Sequence, residues 1–342
     1  MLVFLPLLAG AAFGNPIYTI ASLGGLGGLT STTGYAVNNS GTVVGWGQAS
    51  SGGEQAFVST TGGLPLGVGT ESYAYGINNA GTVVGNTYIG GNSHGTIWTT
   101  AGITDLGANT YATAINNSGE VVGSNGSAFA LVNGQLEDLA MPSNMNWSSA
   151  YGINDAGTVV GDGRLGNGTF RGVIWNADGT VTMLGTLGGA SSEATDVNAS
   201  GEVVGFASLA SGYQQAFSMI GGTMIDLGTL GNSSYAYGVN ASGEVVGYSY
   251  LTDGDQHAFL YYDGTMLDLN SLLPANSGWD LEEAFGINAS GQITGMGLYD
   301  GQQMAFLMTD PPAPTPEPST VLLLAACLGL IGLLRRRPSA SP

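Results

Sequence analysis

The sequence predicts an all-β chain, a seven-bladed β-propeller of four-stranded blades. Three observations carry this: a turn-and-strand unit that recurs seven times, a repeat length that suits four short strands, and an N-terminal segment resembling the fourth strand of the unit. The unit is plainest in Tyr237-Gly-Val-Asn-Ala-Ser-Gly-Glu-Val-Val-Gly247 and recurs around Asn38, Asn78, Asn116, Asn154, Asn198, Asn240 and Asn288. Successive copies are 40, 38, 38, 44, 42 and 48 residues apart, within the range of a propeller blade and above that of a single solenoid coil.

The sixth copy shows the four runs in order: Tyr235 to Val239, Glu244 to Tyr250, His257 to Tyr262 and Thr265 to Leu269. Asn240-Ala-Ser-Gly243, Asp253-Gly254 and Asp263-Gly264 separate them. These read as turns, because Gly takes a positive φ without steric cost and Asn or Asp tolerates one. Val245 and Val246 are adjacent, so on a strand they point to opposite faces, and both faces need cover. Blades packed around an axis supply it. The last Gly of each copy (Gly45, Gly85, Gly123, Gly161, Gly205, Gly247, Gly295) marks a strand position without a side chain, or a bulge.

The seventh copy ends after its third run, Met304-Ala-Phe-Leu-Met308, and meets a proline-rich stretch. The missing fourth run is at the start of the chain. Ile17-Tyr-Thr-Ile-Ala-Ser-Leu-Gly-Gly25 resembles Val181-Thr-Met-Leu-Gly-Thr-Leu-Gly-Gly189 and Met224-Ile-Asp-Leu-Gly-Thr-Leu-Gly231. An N-terminal strand completing the last blade leaves no open sheet edge at the seam. Six or eight blades and an open β-solenoid are the alternative folds.

Composition excludes several functions. The 342 residues include 59 Gly, 24 acidic residues, five Arg and no Lys, for a net charge of −19. Such a body cannot neutralise a phosphate backbone, so nucleic acid is not expected as a partner. One Cys (Cys327) and two His (His94, His257) leave no disulfide framework and no cysteine-based metal site. No catalytic residue, resident cofactor or metal ligand is expected.

The ends read as addressing signals outside a propeller of residues 15–310. Residues 1–14 form an apolar run ending in small residues, as in a signal peptide. The basic start of such signals is absent, which implies an upstream start or an atypical signal; a buried first strand is the alternative. Residues 311–318 form a Pro-rich linker. Residues 319–337 read as a short transmembrane helix with an arginine stop, and 338–342 as a cytoplasmic tail. Val321 to Leu334 carries no charge, but as a helix it spans about 21 Å of a roughly 30 Å core. Crossing therefore needs bilayer thinning and snorkelling arginines; by length alone a buried helix is the alternative.

Pro316-Glu317-Pro318, the apolar segment and Arg335-Arg336-Arg337 resemble, in order and spacing, the PEP-CTERM sorting signal of Gram-negative bacteria. The resemblance implies export, recognition by an exosortase in the inner membrane, removal of the tail, and delivery to the cell surface or an exopolysaccharide matrix, as in biofilm. Separately, His257-Ala-Phe-Leu260 with Asp268-Leu269 and the Asn-x-x-Gly-x-Val-Val-Gly turn resembles the HAF repeat of bacterial extracellular proteins. Gln55-Ala-Phe57, Gln215-Ala-Phe217 and Met304-Ala-Phe306 lack its His. That resemblance implies an extracellular repeat protein and brings no catalytic residues with it.

Other motifs read as structure. Gly91-Asn-Ser-His-Gly95 matches a hydrolase nucleophile elbow, but a strand follows it where the elbow needs a helix. Gly161-Asp-Gly-Arg-Leu-Gly166 matches a dinucleotide fingerprint, again with no helix behind it. Asp253-Gly-Asp255 lacks the further carboxylates of a dedicated Ca²⁺ loop and reads as a solvated turn, while Ca²⁺ elsewhere on the acidic surface stays open. His94 and His257 open third strands and read as polar or packing residues.

Two connections break the repeat: Met141 to Ser149, and Leu272 to Glu283. On the expected topology these loops reach one rim with Trp147, Trp279, Asp280, Glu282 and Glu283, where aromatic faces beside hydrogen-bonding groups suit sugar rings. The leading expectation is a non-enzymatic exported module for adhesion or polysaccharide binding. A secreted polysaccharide-acting enzyme using a pair such as Asp280 and Glu283 and a purely structural surface protein are the alternatives.

Overall fold

The computed structural model describes residues 18–59, 64–65 and 69–310. They form seven four-stranded antiparallel sheets, each with its strands in chain order except at the seam. The first strands of blades 1 to 7 are Leu29–Val37, Ser72–Ile77, Tyr111–Ile115, Met145–Ile153, Gly188–Val197, Ser234–Val239 and Trp279–Ile287. First strands of neighbouring blades contact one another and surround the axis. This is the seven-bladed β-propeller expected from the repeat. The sixth blade's strands, Ser234–Val239, Val245–Tyr250, Gln256–Tyr262 and Thr265–Asp268, agree with the sequence reading to within one residue at each end.

The seam closes as the sequence implied. Thr19–Ser22 pairs antiparallel with Gln302–Thr309, Thr19 opposite Thr309 and Ser22 opposite Phe306, and so completes blade 7. The stretches read from the sequence as an N-terminal signal, a linker, a sorting segment and a tail lie outside the described residues. Among the described residues no helix is long and apolar enough to cross a membrane.

The core lies between blades. Val43, Val44, Val121, Val122, Val245 and Val246 are wholly buried, one of each pair on each face of its sheet. The Phe of the Ala-Phe dipeptide on the third strand (Phe57, Phe129, Phe217, Phe259, Phe306) is likewise wholly buried. Phe259, for example, packs with Val204, Leu227 and Ala236 of the preceding and its own blade. Each such ring contributes roughly 1.5–3 kcal/mol of burial.

The residue before that Phe explains how blades are spaced. The Ala56 N–H donates to Ser72 Oγ of the next blade at 3.0 Å, and Ala128, Ala216 and Ala305 do the same to Ser148, Ser234 and Thr32. Gly95 and Gly172 repeat the bond to Thr110 and Ser192. Between blades 6 and 7 the device differs. There a short 3-10 helix, Leu269–Leu272, presents Asn270, which donates to the Leu281 carbonyl at 3.0 Å and accepts from its N–H at 2.7 Å.

The Asn-x-x-Gly turns do more than reverse the chain. Gly, not Asn, takes the positive φ, as in Gly41 (79°) and Gly243 (80°). Each Asn Oδ1 accepts from the N–H four residues on, and all but Asn116 also from the N–H two residues on, as Asn38 does from Thr42 and Ser40. Its Nδ2 is thereby free to donate to the carbonyl of the equivalent Asn in the next blade. The bonds run from Asn38 to Asn78, and on through Asn116, Asn154, Asn198, Asn240 and Asn288 back to Asn38, at 2.9 to 3.3 Å. Seven buried asparagines thus close a continuous hydrogen-bonded ring around one end of the axis.

Two predicted loops prove to be extensions of strands. Met145 to Ser149 belongs to the first strand of blade 4, with Met145 opposite Leu165, and Trp279 to Glu283 belongs to that of blade 7, with Trp279 opposite Tyr299. The second strands are long enough to pair with the extra residues, and bulges absorb the mismatch.

Candidate functional site

At the opposite end from the asparagine ring the channel opens into a funnel of about 760 Å³, within the ordinary range of ligand pockets. Its shape follows from one backbone irregularity repeated seven times. Between Ala74 and Gly76, and at the equivalent place in every blade, the ladder of the first and second strands slips by one residue. The extra residue is the third before the ring Asn: Tyr35, Tyr75, Thr113, Tyr151, Thr195, Tyr237 and Phe285. A bulge re-aims its side chain, and all seven face the axis, as the floor of the funnel and the roof of the narrower channel beneath.

The final Gly of each copy makes the bulge possible. A Cβ on Gly45, Gly85, Gly123, Gly161, Gly205, Gly247 or Gly295 would stand closer than 3.0 Å to a carbonyl of the first strand, the Glu193 carbonyl in the case of Gly205. The side-chain-free position expected from the sequence is therefore a close backbone approach.

The floor has two characters. Phe285 stacks on Tyr35 with ring centroids 4.8 Å apart, Tyr35 meets Tyr75 edge-on at 5.3 Å, and Tyr237 tilts against Phe285 at 5.4 Å. This aromatic arc runs across blades 6, 7, 1 and 2. Thr113 and Thr195 instead turn back into the scaffold, donating to the Ala150 and Ala236 carbonyls of the next blade at 2.8 and 2.9 Å.

The wall above the floor varies most. Five residues before the ring Asn stand Thr33, Tyr73, Tyr111, Ser149, Glu193, Tyr235 and Glu283, of which Tyr111, Ser149, Glu193 and Glu283 line the funnel. Glu193 and Glu283 both line the funnel and flank Tyr237 from the blades on either side. Burial, reinforced by the charge of Asp162, pushes Glu193 up to about 8. Asp162, only 1% exposed, is pushed up by burial to about 7, and its Oδ1 has no hydrogen-bond partner among the described residues. Glu283 is raised by burial against the pull of Gln256, whose amide donates to it at 2.5 Å. Below the floor Asp196 accepts from the Val197 and Val239 N–H groups at 2.8 and 3.0 Å, tying blade 5 to blade 6. Burial raises it to about 6.

The residues singled out from the sequence are dispersed. Trp147 lines the funnel and also an adjoining groove with Arg164 and Phe170. Trp279 stands elsewhere, packed on Tyr299 and Phe306, in a groove with Tyr18, Ile20 and Pro274. Glu283 is in the funnel. Asp280 instead points toward His257, Oδ1 to Nε2 3.7 Å, while His257 Nδ1 pairs with Asp268 at 2.7 Å. Glu282 is raised by burial and by the charges of Asp280 and Glu283. His94 forms the matching pair with Asp105 at 2.9 Å.

The motif hits take structural roles. Ser93 is buried and donates to the Thr110 carbonyl. Gly161 to Leu165 continue one strand, Val159–Leu165. Asp253 Oδ1 accepts from the Asp255 N–H within its turn. Sequence reasoning missed Glu193, Tyr237, Phe285 and Asp162. Their signal was the departure of each copy from the others three and five places before the Asn and, for Asp162, at the place after the final Gly.

Comparison with known proteins bears mainly on the C-terminus. Residues 314–337 match the PEP-CTERM protein-sorting motif. That signal implies export and exosortase-dependent sorting through the membrane to the cell surface, and Pro316, Glu317, Pro318 and Arg335 to Arg337 fall within it. No curated protein matches the sequence. Among solved structures, the gluconolactonase XC5397 of Xanthomonas campestris is 12% identical with a TM-score of 0.45, over 88% of this chain and 93% of its own. AofleA of Arthrobotrys oligospora is 11% identical with a TM-score of 0.42, over 87% and 94%. AFV00434, an ancestral GH74 enzyme, is 13% identical with a TM-score of 0.49, over 84% of this chain and 49% of its own.

Proposed function

We propose that this chain is an exported, non-enzymatic polysaccharide-binding module, delivered by its sorting signal to the surface or exopolysaccharide matrix of a Gram-negative cell. On this reading residues 1–14 are removed as a signal peptide, 15–310 are the propeller, 311–318 a linker, and 319–337 a short transmembrane sorting segment ahead of the tail, 338–342. The HAF-like runs fit an extracellular setting.

The observation that carries the binding role is the funnel. A wide, open cavity floored by an arc of aromatic rings and walled by tyrosines and carboxylates offers flat apolar faces for sugar rings and acceptors for their hydroxyls. Trp147 extends that surface to the rim.

Two experiments test the reading. In the native host, a variant with Pro316, Glu317 and Pro318 replaced by Ala is compared with the parent by intact mass and cell fractionation. Loss of the tail and surface delivery in the parent, with a full-length variant held in the inner membrane, supports sorting; identical behaviour overturns it. For binding, the host's exopolysaccharide is titrated against the full chain and Trp147→Ala, following the melting temperature, which a ligand of the folded state raises. A rise in the parent that shrinks in the variant supports a module. No rise with any glycan leaves a purely structural protein, and release of new reducing ends over time identifies an enzyme.

A further inference from the structure

The charged side chains that line the funnel are all acidic. Glu193 and Glu283 approach it from blades 5 and 7, on either side of Tyr237, whose ring tilts against Phe285. No Arg or Lys lines it. Arg164 lies in the adjoining groove and Arg171 donates to the Ala190 carbonyl, while the remaining three arginines belong to the sorting signal. Asp162 occupies in blade 4 the position that in blades 2 and 3 is held by Asn86 and Ser124, both of which line the funnel. It is buried beside Glu193 with one carboxylate oxygen unpartnered.

A neutral glycan does not account for these carboxylates. Acids withdrawn from water, Asp162 fully and Glu193 and Glu283 in part, cost stability without a basic partner, and hydroxyl acceptors are more cheaply supplied by Asn, Ser or Thr, which other copies use at the same positions. An anionic glycan meets only repulsion. A ligand cation changes the balance: it supplies the missing opposite charge to Glu193 and Glu283, and aromatic faces attract cations through their π electrons.

We propose that the funnel binds an amine-bearing polysaccharide, seating a protonated amino-sugar between Glu193 and Glu283 against the rings of Tyr237 and Phe285. This inference rests on the polysaccharide-binding reading and narrows it to one chemical class. Burial pushes Glu193 up to about 8, so the bound ammonium also draws it toward ionisation, and binding releases a proton.

The test is calorimetric titration of the full chain, in detergent, with three hexasaccharides: glucosamine, N-acetylglucosamine and galacturonic acid. It is run at about pH 6, where primary ammonium groups are charged. Tighter binding of glucosamine hexamer than of its acetylated form by about tenfold or more is expected, weakening as salt rises. Glu193→Gln and Glu283→Gln should each weaken it about fivefold or more, and Glu137→Gln, an exposed acid on the outer strand of blade 3, should leave it unchanged. Equal losses in all three variants mean diffuse attraction of a polycation to an acidic protein, and overturn the proposal. Equal or tighter binding of the acetylated hexamer overturns it while the polysaccharide-binding reading stands. Absence of binding by every hexamer and by the host's exopolysaccharide removes both.

Discussion

At the asparagine face every blade supplies the same residue in the same role, whereas at the funnel face the seven blades supply Thr, Tyr, Ser or Glu at one position and Tyr, Thr or Phe at the other. Both faces are built from the same first strands, a few residues apart. The difference separates what the fold requires from what it leaves free. Closing a ring of seven needs at each joint a side-chain amide that reaches the backbone carbonyl of the next blade, so one substitution removes that bond and the turn contacts of the same Asn. The funnel positions share no such common joint: rings pack on rings in blades 6, 7, 1 and 2 while Thr113 and Thr195 bond to neighbouring carbonyls, so each copy is free to diverge.

The largest expected effect lies where the two faces are joined. Gly205→Val places a branched side chain against the Glu193 carbonyl, and the bulge beneath it has to be rebuilt. A loss of about 3 kcal/mol or more is expected, seen as a fall in the thermal midpoint. A neutral outcome would show that the bulge does not depend on the Gly.

Asn198→Ala removes the donor to the Asn240 carbonyl and the acceptor for the Ser200 and Glu202 N–H groups. The Asn240 carbonyl keeps the Gly243 N–H and Ser200 is exposed, but the buried Glu202 N–H loses its side-chain acceptor, so about 2 kcal/mol should be lost in urea unfolding. Stability within a few tenths of the parent would end the contrast between the faces.

The third prediction concerns the half-buried acid Glu193 in the funnel wall. Glu193 is raised from its ordinary 4.5 to about 8, chiefly by burial. Between these values the folded state holds a proton that the unfolded state has released, so stability falls as pH rises across the window and is level above it. Glu193→Gln should flatten this slope and raise stability near pH 8 by about 2 kcal/mol, the open side of the cavity screening part of the burial penalty. Urea unfolding at several pH values measures it; an unchanged slope would place the titration elsewhere, on Asp162 first.

The smallest effect belongs to a second, incomplete ring outside the first. The residue after each ring Asn accepts from its counterpart in the preceding blade where it is Asn or Asp: Asn39 from Ala289, Asn79 from Asn39, Asn117 from Asn79 and Asp155 from Asn117. Ala199, Ala241 and Ala289 cannot accept. These bonds are exposed, so Asn79→Ala should cost only about 0.5 kcal/mol by the same unfolding assay. A loss as large as that of Asn198→Ala would show that burial is not what distinguishes the two rings.

Much of the scaffold was legible along the chain. Copy number, the Asn-x-x-Gly turns, the paired valines, the Gly that ends each copy and the N-terminal strand at the seam all depend on residues adjacent in sequence, or on copies that can be laid over one another. The stretch from Met141 to Ser149 misled because whether extra residues form a loop or lengthen a strand depends on a partner such as Leu165, which sequence proximity does not reveal.

What the sequence determined by itself was therefore the repeat, its strand content, its closure and its C-terminal address, all encoded in local patterns of side-chain alternation and turn chemistry. Tertiary structure alone decided which residues meet. Glu193, Tyr237 and Glu283 lie in successive copies more than 40 residues apart, and only the closed ring and its bulges turn all three toward one axis. Trp147 and Trp279, equally prominent in the sequence, belong to blades 4 and 7 and are separated by the same geometry. Convergence at a site is a property of ring closure and strand register, which no short window of the chain contains.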